Sequence, residues 1–140
     1  MQLRSLTYTS LAGLDLTARD LDAIHSAARR INPLDGITGL LIFNGVRFLQ
    51  IVEGSEAAID ALLSRLRRDH RHSGLEIRDR HPIDRRAFPE WSMELVQVST
   101  DGFVAREEIS AVLPSELPLA VREHVLNMTE SIGQVVTLPD

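Results

Sequence analysis

A phenol, a primary amide, an indole and a thioether are the side chains here whose types and spacing suggest chemistry. Tyr8 lies in Leu6-Thr7-Tyr8-Thr9-Ser10, and Gln50 sits at the centre of Arg47-Phe48-Leu49-Gln50-Ile51-Val52-Glu53. Trp91 and Met93 lie in Trp91-Ser92-Met93-Glu94-Leu95. Each stretch reads as a strand, and side chains along a strand alternate between faces. Leu6, Tyr8 and Ser10 therefore share a face, as do Phe48, Gln50 and Val52, and as do Trp91, Met93 and Leu95. If all three sets face the same helices, these tips converge on one pocket, joined by Asn32, Arg65 and Asp69 from helical segments. A buried amide has two donors and an acceptor to satisfy, and leaving them unpaired costs roughly 1–3 kcal/mol. Gln50 must have partners. Either Tyr8 and Gln50 bond each other or free backbone groups as a satisfied internal pair, or the pocket holds a ligand.

The elements that would position these residues follow an alternating order. Gln2 to Ser10 is β-prone. Thr17-Ala18-Arg19-Asp20 offers a helix start, with Thr17 as cap and an acidic residue three positions on. Leu21, Ile24, Ala28 and Ile31 follow at helical spacing, and Asn32-Pro33 ends that helix because the residue before proline is pushed out of the α region. Ile37 to Phe43 is a second strand, and Asn44-Gly45 is a hairpin turn leading into the Gln50 strand. Gly54-Ser55 opens a second helix with Ile59, Leu62, Leu63 and Leu66 as its buried stripe. Leu75 to Arg80 and Trp91 to Val98 complete the strands. The order β-α-β-β-α-β-β predicts an α+β, ferredoxin-like sheet with both helices on one face.

Residues 99–140 read as a helical extension to a domain spanning residues 1–98. Phe103 to Leu113 and Leu119 to Val136 are helix-compatible, separated by Pro114 and Pro118, with Leu119, Leu126 and Ile132 on one side of the second segment. A sheet with helices on one face needs cover on the other, and these helices are expected to provide it.

Composition narrows the class. A chain of 140 residues, 44% hydrophobic and 25% charged, is large enough for its own core without staples. There are no cysteines, which excludes disulfides, thiolate metal sites and thiol nucleophiles. The net charge of −5 argues against non-specific attraction to nucleic acid. No apolar run is long enough for a membrane span, and no signal peptide is expected, so the reading is a cytoplasmic protein. His70, His72 and His81 are close in sequence, but no carboxylate or cysteine completes an obvious zinc site, and no metal is expected. The glycines show no phosphate-cradling pattern, and the arginine runs read as solvated faces.

With these elements in place, the sequence resembles the BLUF family, blue-light sensors using FAD, from about Met1 to Val98. The resemblance is carried by Leu6-Thr-Tyr8-Thr-Ser10, Ala28-Arg29-Arg-Ile-Asn32, Gly36-Ile-Thr-Gly-Leu-Leu-Ile-Phe43 and Phe48-Leu-Gln50-Ile-Val-Glu53-Gly54. It continues in Asp69-His-Arg71-His72 and Arg86-Ala-Phe88-Pro-Glu-Trp91-Ser-Met93. The length is similar to that of the short stand-alone bacterial members. The resemblance implies a photoreceptor rather than an enzyme, with FAD bound non-covalently between the two helices and FMN as the alternative flavin. It implies Tyr8 as electron and proton donor, and Gln50 between Tyr8 and the ring edge. Asn32 is implied on the pyrimidine part and Ile24 on the ring face. Arg65, Asp69 and His72 are implied along the ring and its side chain, and Ser10, Trp91 and Met93 as tuning residues. Many members carry a polar residue where this chain has Ile31, so the ring contact made there is not carried over to this chain.

These types suit such work. A phenol can give up an electron and a proton to an excited acceptor, and an amide can reverse which end donates, by rotation or tautomerism, without breaking the core. The implied output passes to a separate downstream protein, with a homodimer an alternative partner. The competing reading is a ferredoxin-like enzyme or small-ligand module whose pocket binds something else.

Overall fold

The computed structural model describes residues 2–31 and 36–133, in the order β1 (Leu3–Ala12), α1 (Ala18–Ile31), β2 (Thr38–Phe43), β3 (Arg47–Ser55), α2 (Glu56–Arg67), β4 (His72–Ile83), β5 (Ser92–Gln97), α3 (Gly102–Val112) and α4 (Leu119–Gly133). The local signals hold. Thr17 and Asp20 bond each other's backbone N–H groups in a reciprocal cap of α1, at 3.0 and 3.1 Å. Ser55 caps α2 by accepting from the Ala58 amide. Asn44 closes the β2–β3 turn, its Oδ1 accepting from the Val46 and Arg47 amides, with Gly45 at φ 93°.

The sheet order is β4-β1-β3-β2-β5. The first four strands are mutually antiparallel neighbours in the ferredoxin-like arrangement, and β5 adds to the far edge parallel to β2. On one face α1 and α2 cover Leu6, Tyr8, Leu41, Phe48 and Val52, with Ile59, Leu62 and Leu63 of α2 buried against them. On the other face α3 and α4 cover Leu40, Ile42, Leu49 and Ile51 through Ile109, Val125, Leu126 and Ile132. The tail is thus a layer of the core. Each central strand is buried on both sides, which explains its nearly unbroken apolar run.

Three details differ from the sequence expectation. β4 is longer than Leu75–Arg80 and carries Pro82, which an edge strand tolerates because its outer N–H positions need no ladder partner. Leu119 was expected on the buried side of α4 but is exposed, and Val125 and Thr129 are buried instead. The third concerns β5. Gly39 pairs with Ser92 and Leu40 with Glu94, so the register skips Met93, which adopts φ 93°. One extra residue reverses the parity of what precedes it.

Candidate functional site

Between α1 and α2, with β1, β2 and β3 as its floor, lies a cleft of about 290 Å³. Its side walls are mainly apolar: Ile24, Ala27 and Ala28 from α1, and Leu62 and Leu66 from α2. Tyr8, Ser10, Leu41, Phe48 and Gln50 form the floor, and Arg65, Asp69 and Arg71 stand at one end. Helix α1 presents small residues at 27 and 28, so the walls leave a slot that larger side chains would fill.

A line of hydrogen bonds runs along the floor. The Tyr8 hydroxyl donates to Gln50 Oε1, and Gln50 Nε2 donates to Met93 Sδ at 3.1 Å. A thioether can only accept, so the amide's orientation follows from its two partners. All three residues are buried. Burial holds the Tyr8 hydroxyl well above the usual phenol pKa range, with a smaller push from the negative charge of Asp69. Tyr8 is therefore a neutral phenol across the ordinary pH range. Asp69 is itself gripped by Arg71, whose Nε and Nη2 donate to its two oxygens at 2.9 and 2.8 Å. The Ser10 hydroxyl is buried with no hydrogen-bond partner among the described residues, a cost a ligand's polar edge would relieve.

The structure brings together most of the residues singled out by sequence. Tyr8, Ser10, Ile24, Gln50, Arg65 and Asp69 line the cleft, and Met93 touches it through Gln50. Asn32 falls outside the described residues. His72 opens β4, where its backbone pairs with Ala12. Trp91 is the correction. It was placed beside Met93 on the Gln50 face, but it packs on the opposite face against Phe88, with ring centroids 5.4 Å apart, in the core shared with α3 and α4. The skipped register at Met93 is the reason, and methionine carries no sequence signal for it.

Sequence reasoning assigned no role to Arg71, His25 or Glu53. Arg71 was legible only as part of the Asp69-His-Arg71-His72 stretch, with no role of its own. His25 Nε2 lies 3.1 Å from the Met93 carbonyl oxygen. Glu53 is buried, and its carboxylate accepts from the Ala87 and Phe88 amides at 2.7 and 2.8 Å. Those bonds fasten the loop before β5 to the sheet.

A long apolar slot ending in charged groups, with a polarisable hydrogen-bond line and an unsatisfied hydroxyl on its floor, fits a flat aromatic group with one polar edge. Comparison with known proteins agrees. Residues 3–94 match the family described as BLUF, sensors of blue-light using FAD. Among curated relatives, the photoactivated adenylate cyclase subunit beta of Euglena gracilis is 36% identical over 92 residues, 65% of this chain and 11% of that protein. The alpha subunit from the same organism is 34% identical over 87 residues, or 8% of its length. The chain thus spans only a small part of those relatives. Among solved structures, the dark-state structure of the BLUF protein BlrB is 36% identical with a TM-score of 0.71, matching 96% of this chain and 98% of that one. Klebsiella pneumoniae BlrP1 with FMN and cyclic diGMP is 32% identical with a TM-score of 0.75, over 94% of this chain and 35% of that one. The slot, the Tyr8–Gln50–Met93 line and these matches lead to one conclusion: the chain belongs to the BLUF family of blue-light sensors, whose chromophore is FAD.

Proposed function

We propose that blue light drives an electron and a proton out of Tyr8, that Gln50 then exchanges its hydrogen bonds, and that β5 carries the change to α3 and α4. The observation that carries this reading is the buried line from the Tyr8 hydroxyl through Gln50 to Met93 Sδ beneath the slot. When bound, the flavin absorbs blue light and becomes an electron and proton acceptor. Ile24, Ala28, Leu62 and Leu66 would hold its ring by packing, Asn32 would bond the pyrimidine part, and Arg65 and Asp69 would lie along its side. His72 is assigned a peripheral contact, and FMN is the alternative flavin.

Tyr8 keeps its proton until the electron leaves, because burial disfavours the phenolate. Gln50 Oε1 already accepts the hydrogen bond of that proton, so it is the proton's first stop. Among the described residues the partner of Gln50 Nε2 is a thioether, a weak acceptor, so that end of the amide gives up little, and the bond it must exchange is the one from Tyr8. Met93 and Ser10 tune that exchange. Trp91 acts on the other side of the sheet, as part of the output path.

Gln50→Leu keeps a similar volume but removes every hydrogen-bonding atom. It should still bind flavin and lose the light-induced red shift. Tyr8→Phe should lose it too, and Trp91→Phe should keep it. A Gln50→Leu protein showing the full shift would make Gln50 structural and end this mechanism.

The extension beginning near residue 99 is our candidate output surface, with a separate cytoplasmic protein as its target. No helix among the described residues is long and apolar enough to cross a membrane. A homodimer is the other partner we propose, and light scattering that shows monomer at every concentration would remove it.

A further inference from the structure

We propose that His25 of α1 is the positioning residue that keeps Met93 against Gln50. Met93 is the one non-glycine residue at positive φ among those described, at 93°, a conformation L-residues adopt only when their surroundings impose it. The β2–β5 register skips it, so its peptide stands outside the regular ladder. His25 Nε2 lies 3.1 Å from its carbonyl oxygen. A carbonyl only accepts, so Nε2 carries the proton and donates. The same residue, fully buried, receives Gln50 Nε2 on its sulfur at 3.1 Å. One histidine on the helix thus satisfies the bulge that aims the thioether at the amide.

The alternative to this bulge is regular pairing. A strand without the extra residue would place residues 91 and 93 on one face, and the Trp91 ring and the Met93 thioether would compete for the space beside Gln50. His25 biases the strand against that arrangement by bonding the carbonyl that the bulge presents to α1. The proposal takes the role of Gln50 from the preceding section, but its effect on the dark-state strand does not depend on any photochemistry.

Trp91 is the only tryptophan in the chain, so its emission reports which face it occupies. The test compares His25→Leu and His25→Gln in the full chain loaded with FAD and kept in the dark. In His25→Leu, the amides of residues 92–97 should exchange roughly three- to tenfold faster, the worth of one hydrogen bond, and Trp91 emission should shift. Recovery after blue light should slow by a comparable factor, because the lost bond belongs to the dark arrangement. His25→Gln, which can still donate, should restore all three readouts towards wild type.

Wild-type exchange and emission in His25→Leu would overturn the proposal. A His25→Gln protein as perturbed as His25→Leu would overturn it as well, since ring packing rather than the bond would then be responsible. If His25→Leu does not fold, Met93→Gly supplies the second arm, because glycine takes this φ without strain. The double variant should fold as well as Met93→Gly alone, and a double variant that also fails to fold refutes the assignment. A full light shift in Gln50→Leu would sink the switch yet leave these dark-state results standing.

Discussion

Tyr8 is the only tyrosine in the chain, so its ionisation can be followed without interference. Its pKa is raised in the folded protein, chiefly by burial. The native state therefore keeps a proton that the unfolded chain releases above about pH 10. Its contribution to stability is complete below that pH and is lost as the pH climbs from there towards the folded value. We predict that phenolate absorbance stays low in native protein at pH values where the unfolded protein shows it fully. In Tyr8→Phe the fall in stability above about pH 10 should be shallower, while neutral-pH stability drops by roughly 1–3 kcal/mol because Gln50 Oε1 loses its donor. A native phenolate signal rising near the ordinary value would mean that Tyr8 is solvated.

At the scale of elements, close approach of backbone rather than hydrophobic pattern fixes the sheet beside the site. A Cβ on Gly39 would lie 1.9 Å from the Ile51 carbonyl oxygen, and its φ is +153°. Gly39→Ala should cost roughly 3 kcal/mol or more, or prevent folding. Gly45, at φ +93° with nothing near its would-be Cβ, should lose only about 1–2 kcal/mol on the same change. Denaturant unfolding of the pair separates them, and equal losses would show that Gly39 is not tightly enclosed. Much of this architecture was legible. Thr17 as cap, Gly54-Ser55 as the opening of the second helix, Asn44-Gly45 as turn, and the alternating faces of Tyr8 and Gln50 all follow from local rules. The side occupied by Trp91 was not, because parity counting assumes unbroken pairing and the skipped residue is a methionine. Nor was the burial of Glu53, whose partners are the amides of residues 87 and 88, far along the chain. Leu119 misled for another reason: the inward face of α4 is set by its contacts with α3 and the sheet, not by its own weak periodicity.

The described residues form three layers, with the cleft between α1 and α2 on one side of the sheet and α3 and α4 on the other. Besides the apolar packing of Leu40, Ile42, Leu49 and Ile51, the outer layer is tied to the sheet by Thr7 Oγ1 to His124 Nε2 at 3.1 Å, by Asn44 Nδ2 to the Ile132 carbonyl at 3.2 Å, and by Trp91 packed into the outer core. Light can shift this layer only if the two hydrogen-bond arrangements around Gln50 differ in free energy of contact with β5. We therefore expect illumination to change amide exchange in residues 92–97 first and in α3 and α4 with them. Profiles unchanged across all three segments would remove β5 as the path. Light sensing by this chain is tested most directly by the absorption spectrum of the purified, FAD-loaded protein before and after blue light. We predict a structured flavin band that moves to the red and returns in the dark. A protein that cannot be loaded with flavin, or a loaded one whose band stays in place under blue light, would contradict it.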